Sequence, residues 1–257
     1  MSEKNRDGKR TARDRLAVER EKQKSAEKRR RTLIVGASVV CVLALAAVIG
    51  IVAANSGKDE KRTAGPVVAP SGAQGKDSLA IPVGKDSAKS TLTVWEDFRC
   101  PACQGFESAY RSTVHQLTGA GSLRAEYHLV TLIDGNLGGS GSLRAANAAA
   151  CAQDAGKFST YHDVLYENQP KETDDAFASN DKLIELAGKV EGLDTPAFRS
   201  CVNDGRHDSW VQKSQKAFEA GRFPGTPAVL LNGKNIYEDR TMTPAKLKKM
   251  VEDANKG

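Results

Sequence analysis

Between positions 32 and 57 the chain carries no charged residue. Residues 32–54, TLIVGASVVCVLALAAVIGIVAA, would extend about 34 Å as a helix, against about 30 Å of bilayer hydrocarbon. A helix apolar on every face and this long does not suit the core of a small soluble domain. Val52-Ala53-Ala54 could pass for a cleavage site, but a cleaved leader has a shorter apolar run behind a shorter basic stretch. The segment therefore reads as one retained transmembrane signal anchor. Lys28, Arg29, Arg30 and Arg31 abut one end, whereas the other end is flanked by the mixed charges of Lys58, Asp59, Glu60, Lys61 and Arg62. The positive-inside rule then places residues 1–31 in the cytoplasm and everything after about residue 55 on the extracytoplasmic face of the cell membrane.

The charge distribution agrees with this division. The net charge is +6 over 257 residues. Residues 1–31 hold 13 Lys/Arg and 6 Asp/Glu, a net of +7, so the remainder sums to −1. A basic fold would suggest a nucleic-acid partner. Here the excess sits on a tail directly before the span, where it reads as a disordered topology determinant, and no nucleic-acid partner is expected. Membrane lipid is the expected contact of the anchor. Residues 55–77 are rich in Gly, Pro, Ala, Ser and charge and read as a flexible linker. Residues 78–257 form the expected globular domain.

Within that domain, residues 79–83 and 91–97 (TLTVWED) are strand candidates, the second with partial alternation. Phe106, Tyr110, Val114 and Leu117 repeat at helical spacing. Residues 122–133 read as a third strand region and 135–141 as a loop. The helical pattern then runs in short pieces over about 140–204. Trp210, Ser214, Ala217, Phe218 and Gly221 share a face of another helix. Residues 228–231 are apolar, and Asn232-Gly233 marks a hairpin turn into Ile236-Tyr237. Thr243 caps a last helix with Pro244 at its first position. Strands enclose and alternate with helices, so the class is α/β with a central sheet flanked by helices.

Cys100-Pro101-Ala102-Cys103 follows the second strand and opens a helix. Unpaired N–H groups and the positive end of the helix dipole stabilise a thiolate there. Arg99, its neighbour, would add positive charge. Pro101 fits the first turn, where a missing N–H costs nothing. The spacing lets the two sulfurs form and exchange a disulfide. Gln104 occupies the position that a c-type haem site gives to histidine. His115 and His128 fit no zinc-finger spacing, so neither a metal nor an organic cofactor is expected. A redox-active pair is the favoured reading over a structural bridge.

DFRCPAC, the later helical block and Gly225-Thr226-Pro227 together resemble the DsbA-like thiol–disulfide oxidoreductases, and most closely their membrane-anchored actinobacterial forms. The resemblance implies a thioredoxin-like fold with an inserted helical domain over 78–257. It implies that Pro227 is cis and that the Gly225–Thr226–Pro227 loop lies beside Cys100 to receive substrate peptide. Many members carry a buried acid six residues before the first cysteine. Val94 stands there in this chain, and Glu96, on the same strand face, is either a substitute proton relay or a solvated edge carboxylate. Asp97 matches a common acid of the family, or else caps the strand. Ala102 replaces the histidine of the strongest oxidants, so a lowered but not extreme Cys100 pKa is expected.

Cys151 and Cys201 both fall in the helical block. An oxidising compartment, and a comparable pair in related actinobacterial proteins, imply a structural disulfide between them. Cys41 fills apolar space in the anchor. His115, His128, His162 and His207 read as scattered surface or helix-face residues, and Trp95 and Trp210 as core or groove-lining rings. The implied function is introduction of disulfides into exported proteins that carry reduced cysteines. The implied reoxidant is a quinone-linked membrane protein of DsbB or vitamin K epoxide reductase type. Reduction or isomerisation with the same motif is the alternative. A non-enzymatic envelope binding or chaperone module with structural disulfides is the reading from another class.

Overall fold

The structure, a computed structural model, describes residues 66–256. The basic tail and the anchor segment lie outside the described residues. Among the described residues no helix is long and apolar enough to cross a membrane.

The central strand explains the sheet. β2 (Ser90–Glu96) alternates strictly, with Ser90, Leu92, Val94 and Glu96 buried and the intervening residues half-buried. Period-2 alternation puts one side-chain set against a helix layer. β3 (Leu123–Leu129) runs parallel to β2, pairing Leu92 with Ala125 and Glu96 with Leu129. β1 (Ile81–Val83) is antiparallel to β3 on one edge. On the other side β4 (Ala228–Leu231) is antiparallel to β2, and β5 (Lys234–Asn235) closes the hairpin. The sheet order is β1-β3-β2-β4-β5. The parallel β2–β3 pair requires a crossover, which α1 (Pro101–Gly119) supplies. Its Phe106, Val114 and Leu117 are buried at the spacing the sequence shows.

After β3 come α2 (Leu132–Leu137), α3 (Gly141–Asp154), α4 (Phe158–Glu167), α5 (Asn180–Ala187) and α6 (Pro196–Asp204). α3 buries nearly every residue from Gly141 to Ala152, which small alanine side chains permit against α4, α6 and α7 (Asp208–Ala220). Trp210, Ser214 and Phe218 form the buried stripe of α7. α8 (Pro244–Lys256) starts where Thr243 Oγ1 accepts the Lys246 N–H at 3.1 Å, and it buries Leu247 and Val251.

Three expectations need correction. The third strand stops at Leu129, because Thr131 Leu132 Ile133 turn into α2, so 135–141 is helix as far as Leu137 and loop only over 138–140. The hairpin strand ends at Asn235, since Ile236 turns into the core and Tyr237 out to solvent. Nor is the linker flexible throughout. Its residues 66–77 pack on the domain: Ser71 N–H donates to Asp154 Oδ1 at 2.7 Å, Gln153 Nε2 to Ser71 O at 2.9 Å, and Gln74 bridges Ala80. Those backbone groups would be solvated in a coil, and here Asp154, Gln153 and His207 satisfy them.

Candidate active site

The end of β2 delivers Cys100 to the N-cap of α1, with Pro101 at the first helical position. Cys100 is 6% exposed and Cys103, one turn on, is fully buried; both are thiols. The Cys100 pKa is lowered from 9.0 to about 6. The largest cause is the hydrogen bond from the Cys103 thiol. Burial opposes it, and Thr226 and the Cys103 and Ala102 backbone N–H groups add to it. Cys103 moves the other way: burial, then its bond and charge contact with Cys100, push it well above the ordinary value. The motif therefore holds one ready thiolate and one protonated thiol. The depression without a positive charge at Ala102 is moderate, as the sequence leads one to expect.

The Thr226–Pro227 peptide bond is cis. The Cys100 thiol lies 3.3 Å from the Thr226 carbonyl oxygen, so the Gly225–Thr226–Pro227 loop sits against the motif. Beside it a groove of about 490 Å³ is walled by Ala102, Gly105, Phe106, Tyr110, Ile236 and Tyr237. Phe106 and Tyr110 stack at 4.8 Å, and Tyr237 is 43% exposed. An extended chain with an apolar side chain fits such a wall.

Glu96 is no solvated edge carboxylate. It is 1% exposed, and its Oε1 lies 2.7 Å from His162 Nε2 on α4. The other oxygen, Oε2, is buried without a partner. Glu107, one turn after Cys103 on α1, completes a buried group whose ligand-type atoms lie within 4.8 Å of one another. Burial opposes charge on His162, but Glu96, Asp163 and Glu107 together raise its pKa to about 10. Burial pushes Glu107 up to about 8 against the pull of His162. The two carboxyls thus favour a charged His162, and burial favours a protonated Glu107.

Asp97 does more than cap the strand. Fully buried, it accepts from the Arg99 and Ile133 N–H groups at 2.8 Å each, fastening α2 to the motif. Burial lifts its pKa to about 7 against those bonds. Arg99 does not support the thiolate as expected. Its guanidinium, 2% exposed, turns to Asp134 Oδ1 at 2.7 Å, Asp175 Oδ1 at 2.9 Å and the carbonyls of Gly138 and Glu172. A buried guanidinium requires such an acceptor set. Asp175 in turn accepts the Ser140 and Gly141 N–H groups. A Cβ on Gly139 or Gly141 would come within 2.4 or 2.5 Å of its carboxylate, so a side chain at either would displace Asp175 from these bonds.

Cys151 and Cys201 are joined, with an S–S distance of 2.06 Å, across α3 and α6. Three histidines depart from the surface reading. His128 is 8% exposed and stacked on Trp95 at 3.9 Å, and burial pushes its pKa down to about 4. His162 belongs to the Glu96 group. His207 contacts Val68 O at 2.8 Å and Asp154 Oδ2 at 3.0 Å, holding the 66–77 segment. His115 alone is substantially exposed. The sequence reading passes over His162, Glu107, Asp134 and Asp175. For Glu107 a signal existed, since it follows Cys103 by one turn and adjoins the buried Phe106. For His162, partnered across 66 residues, none did.

This arrangement has relatives. A family model described as thioredoxin matches residues 77–253. A probable disulfide bond formation protein D of Bacillus cereus is 24% identical over 204 residues, covering 78% of this chain and 89% of that protein. The crystal structure of oxidised DsbA from Mycobacterium tuberculosis superposes with a TM-score of 0.59 at 29% identity, covering 68% of this chain and 92% of that one. MdbA of Actinomyces oris, a thiol–disulfide oxidoreductase 21% identical, shares the fold with a TM-score of 0.57 over 68% and 85% of the two chains. In this chain the CPAC motif at a helix start faces a cis-proline loop on a sheet interrupted by a helical block, and the chain belongs to the thioredoxin family as a DsbA-like thiol–disulfide oxidoreductase.

Proposed function

We propose that the protein is an extracytoplasmic thiol oxidase, tethered by its 32–54 segment, that introduces disulfides into exported proteins. The carrying observation is the opposed tuning of the two motif thiols, Cys100 down to about 6 and Cys103 up. Stabilising the Cys100 thiolate stabilises the reduced form, and a stable reduced form makes the disulfide a better oxidant.

A substrate thiolate attacks Cys100 Sγ of the disulfide. The Cys100–Cys103 bond breaks, Cys103 leaves as thiolate and takes up a proton, and a mixed disulfide joins substrate to Cys100. A second substrate thiolate attacks its own sulfur in that bond and expels Cys100, whose low pKa makes it a good leaving group. The substrate leaves oxidised by two electrons and the motif is left reduced, Cys100 as thiolate and Cys103 as thiol. The cis-proline loop supports the incoming backbone, and the Phe106–Tyr110–Tyr237 wall receives an apolar side chain. A quinone-linked membrane protein of DsbB or vitamin K epoxide reductase type returns the pair to the disulfide. The basic flank and uncharged run support the tether, and the Cys151–Cys201 bond supports an oxidising compartment.

The test is the reduction potential of the Cys100–Cys103 pair in the full chain, equilibrated against glutathione, with Cys151–Cys201 followed separately by mass. A value of about −120 to −180 mV supports the oxidase. About −250 mV or lower would turn the same residues into a reductase. Exchange that survived Cys100→Ser would remove the motif from the mechanism altogether.

A further inference from the structure

Successive side chains of a strand point to opposite faces, so Trp95 lies across the sheet from Glu96. β3 sets His128 level with it in the register, and the two rings stack at 3.9 Å. Trp95 is nevertheless only half-buried, and the residues that α7 brings to this place, Ala217 and Ala220, are small. A cavity of about 560 Å³ remains, lined by Trp95 and His128 and walled by Phe223, whose ring lies 5.5 Å from the indole. Gly221 makes room for that wall, since a Cβ there would come within 2.6 Å of the Phe223 ring. The motif helix α1 packs on the other face, where its Glu107 meets Glu96, and no residue of this cavity lines the groove beside Cys100.

The polar groups of the cavity are few and of one kind. Lys76, Lys213 and Lys216 line it, with Asp77 as its one acid. Lys213 Nζ holds Asp77 Oδ1 at 3.3 Å. Among the described residues the ammonium groups of Lys76 and Lys216 have no such partner, so the cavity keeps an excess of positive charge. His128 is 8% exposed, and its Nδ1 is buried without a hydrogen-bond partner. A buried polar atom left unpaired is costly, and a ligand group that pairs it recovers that cost. Burial keeps the imidazole uncharged at pH 7. A hydroxyl suits it in either tautomer, because a hydroxyl both donates and accepts.

We propose that this cavity is a second binding site, for a small hydroxylated aromatic acid. The flat ring system lies against Trp95 and Phe223, the carboxylate faces Lys76 and Lys216, and the ring hydroxyl meets His128 Nδ1. The volume is that of a small-molecule pocket, and an apolar lining with a few convergent polar groups is the usual form of one. The site goes beyond the oxidase reading and does not depend on it, because the two lie on opposite faces of the sheet.

The experiment titrates the full chain in detergent micelles at pH 7 with 6-hydroxy-2-naphthoate by calorimetry, with the heat of empty micelles subtracted. A Kd of about 1 mM or tighter is expected for a ligand of that size. 2-Naphthoate, which lacks the hydroxyl, should bind about three- to tenfold more weakly. 2-Naphthol, which lacks the carboxylate, and decanoate, which lacks the ring, should each be weaker by about threefold or more. His128→Phe keeps a ring against Trp95 and removes the nitrogen, so it should bind the two naphthoates equally. Lys76→Ala with Lys216→Ala should weaken both naphthoates about three- to tenfold and leave 2-naphthol unchanged. Ala220→Trp, at an exposed position on α7, should fill the cavity and abolish binding. The lysine and Ala220 variants change exposed residues and keep the test decisive if His128→Phe does not fold. No saturable heat in the wild type would overturn the site. 2-Naphthol or decanoate binding as tightly as 6-hydroxy-2-naphthoate would overturn the ligand class. Undiminished binding in the lysine and Ala220 variants would place the probe elsewhere on the chain and overturn the assignment to this cavity.

Discussion

The Cys103→Ala substitution isolates what sets the Cys100 pKa. The Cys103 thiol is the largest cause of the shift from 9.0 to about 6, ahead of Thr226 and the two N–H groups at the start of α1. A hydrogen bond to a charged group contributes about 1.5–3 kcal/mol. One pKa unit corresponds to about 1.36 kcal/mol, so losing that donor should raise Cys100 by about 1–2 units, to about 7–8. At pH 7 the thiolate fraction would fall from about nine-tenths to between about one-half and one-tenth. Alkylation should slow by about two- to tenfold at pH 7 and hardly at all above pH 9. The assay is the pH dependence of iodoacetamide labelling at Cys100, read by peptide mass because Cys41 also belongs to the chain. Cys103→Ser provides the control. It keeps a hydroxyl donor at the same place and should titrate well below the Ala variant. If Ala and Ser variants both stay within about half a unit of the wild type, the helix start, and not the Cys103 thiol, sets the value, and the reasoning fails.

Three further outcomes follow from the same geometry. A thiol with a folded pKa below its unfolded one binds fewer protons than the unfolded chain between about pH 6 and 9, so its stabilisation is complete above about 9 and lost as pH falls through about 6. Denaturant titration of both redox forms should show the reduced form gaining on the oxidised one across that window, by an amount of order 1 kcal/mol at pH 7 after solvent screening, and a flat difference would contradict it. Replacing both Cys151 and Cys201 by alanine reopens a loop spanning 50 residues and should cost about 4 kcal/mol, lowering Tm by about 8–16 °C in a scan of the oxidised protein, with a fall under about 3 °C counting against it. Ala102→His places a cation at the exposed second turn position beside Cys100. It should lower that pKa by at least about one unit and shift the potential by about +30 mV or more against glutathione, and an unchanged potential would show that the side chain does not reach the sulfur.

The frame was legible because local rules decided it. Strict alternation over 90–96, the i, i+4 stripe from Phe106, and the Asn232-Gly233 turn each report a period or a backbone conformation that neighbouring residues alone determine. The motif was legible for the same reason, since a cysteine pair after a strand and before a helix carries its own electrostatics. Arg99 shows where such reasoning ends. Adjacent to Cys100 in the chain, it points elsewhere, because a buried guanidinium goes where acceptors gather, and Asp134 and Asp175 gather them 35 and more residues away. The α2 helix was hidden similarly. Its six residues include Gly135 and Asn136, poor helix formers, and the segment is held by Asp97 accepting the Ile133 N–H.

The displacement of the acid from position 94 to 96 ties these points together. Two residues along a strand is one repeat, so Glu96 keeps the buried face of Val94 but moves toward the end of β2 where the motif begins. A carboxylate buried there without a counter-charge would cost several kcal/mol. β2 offers none, since its other buried residues are Ser90, Leu92 and Val94. Cys103, one turn into α1, is itself a potential anion, and Glu107 is a third acid. The cation in contact with Glu96 comes from the helical insertion, where α4 brings His162 to within 2.7 Å. The helical insertion is thus more than a cover over the motif. Arg99 with Asp134 and Asp175 fastens it to the strand end, and His162 makes the acid beneath the cysteines tolerable. On this argument His162→Leu should destabilise the domain far more in wild type than in Glu96→Gln, and the double-mutant cycle should give a coupling of at least about 2 kcal/mol by denaturant unfolding. Additive costs would mean that the two side chains do not stabilise each other and that the insertion's histidine is there for packing alone.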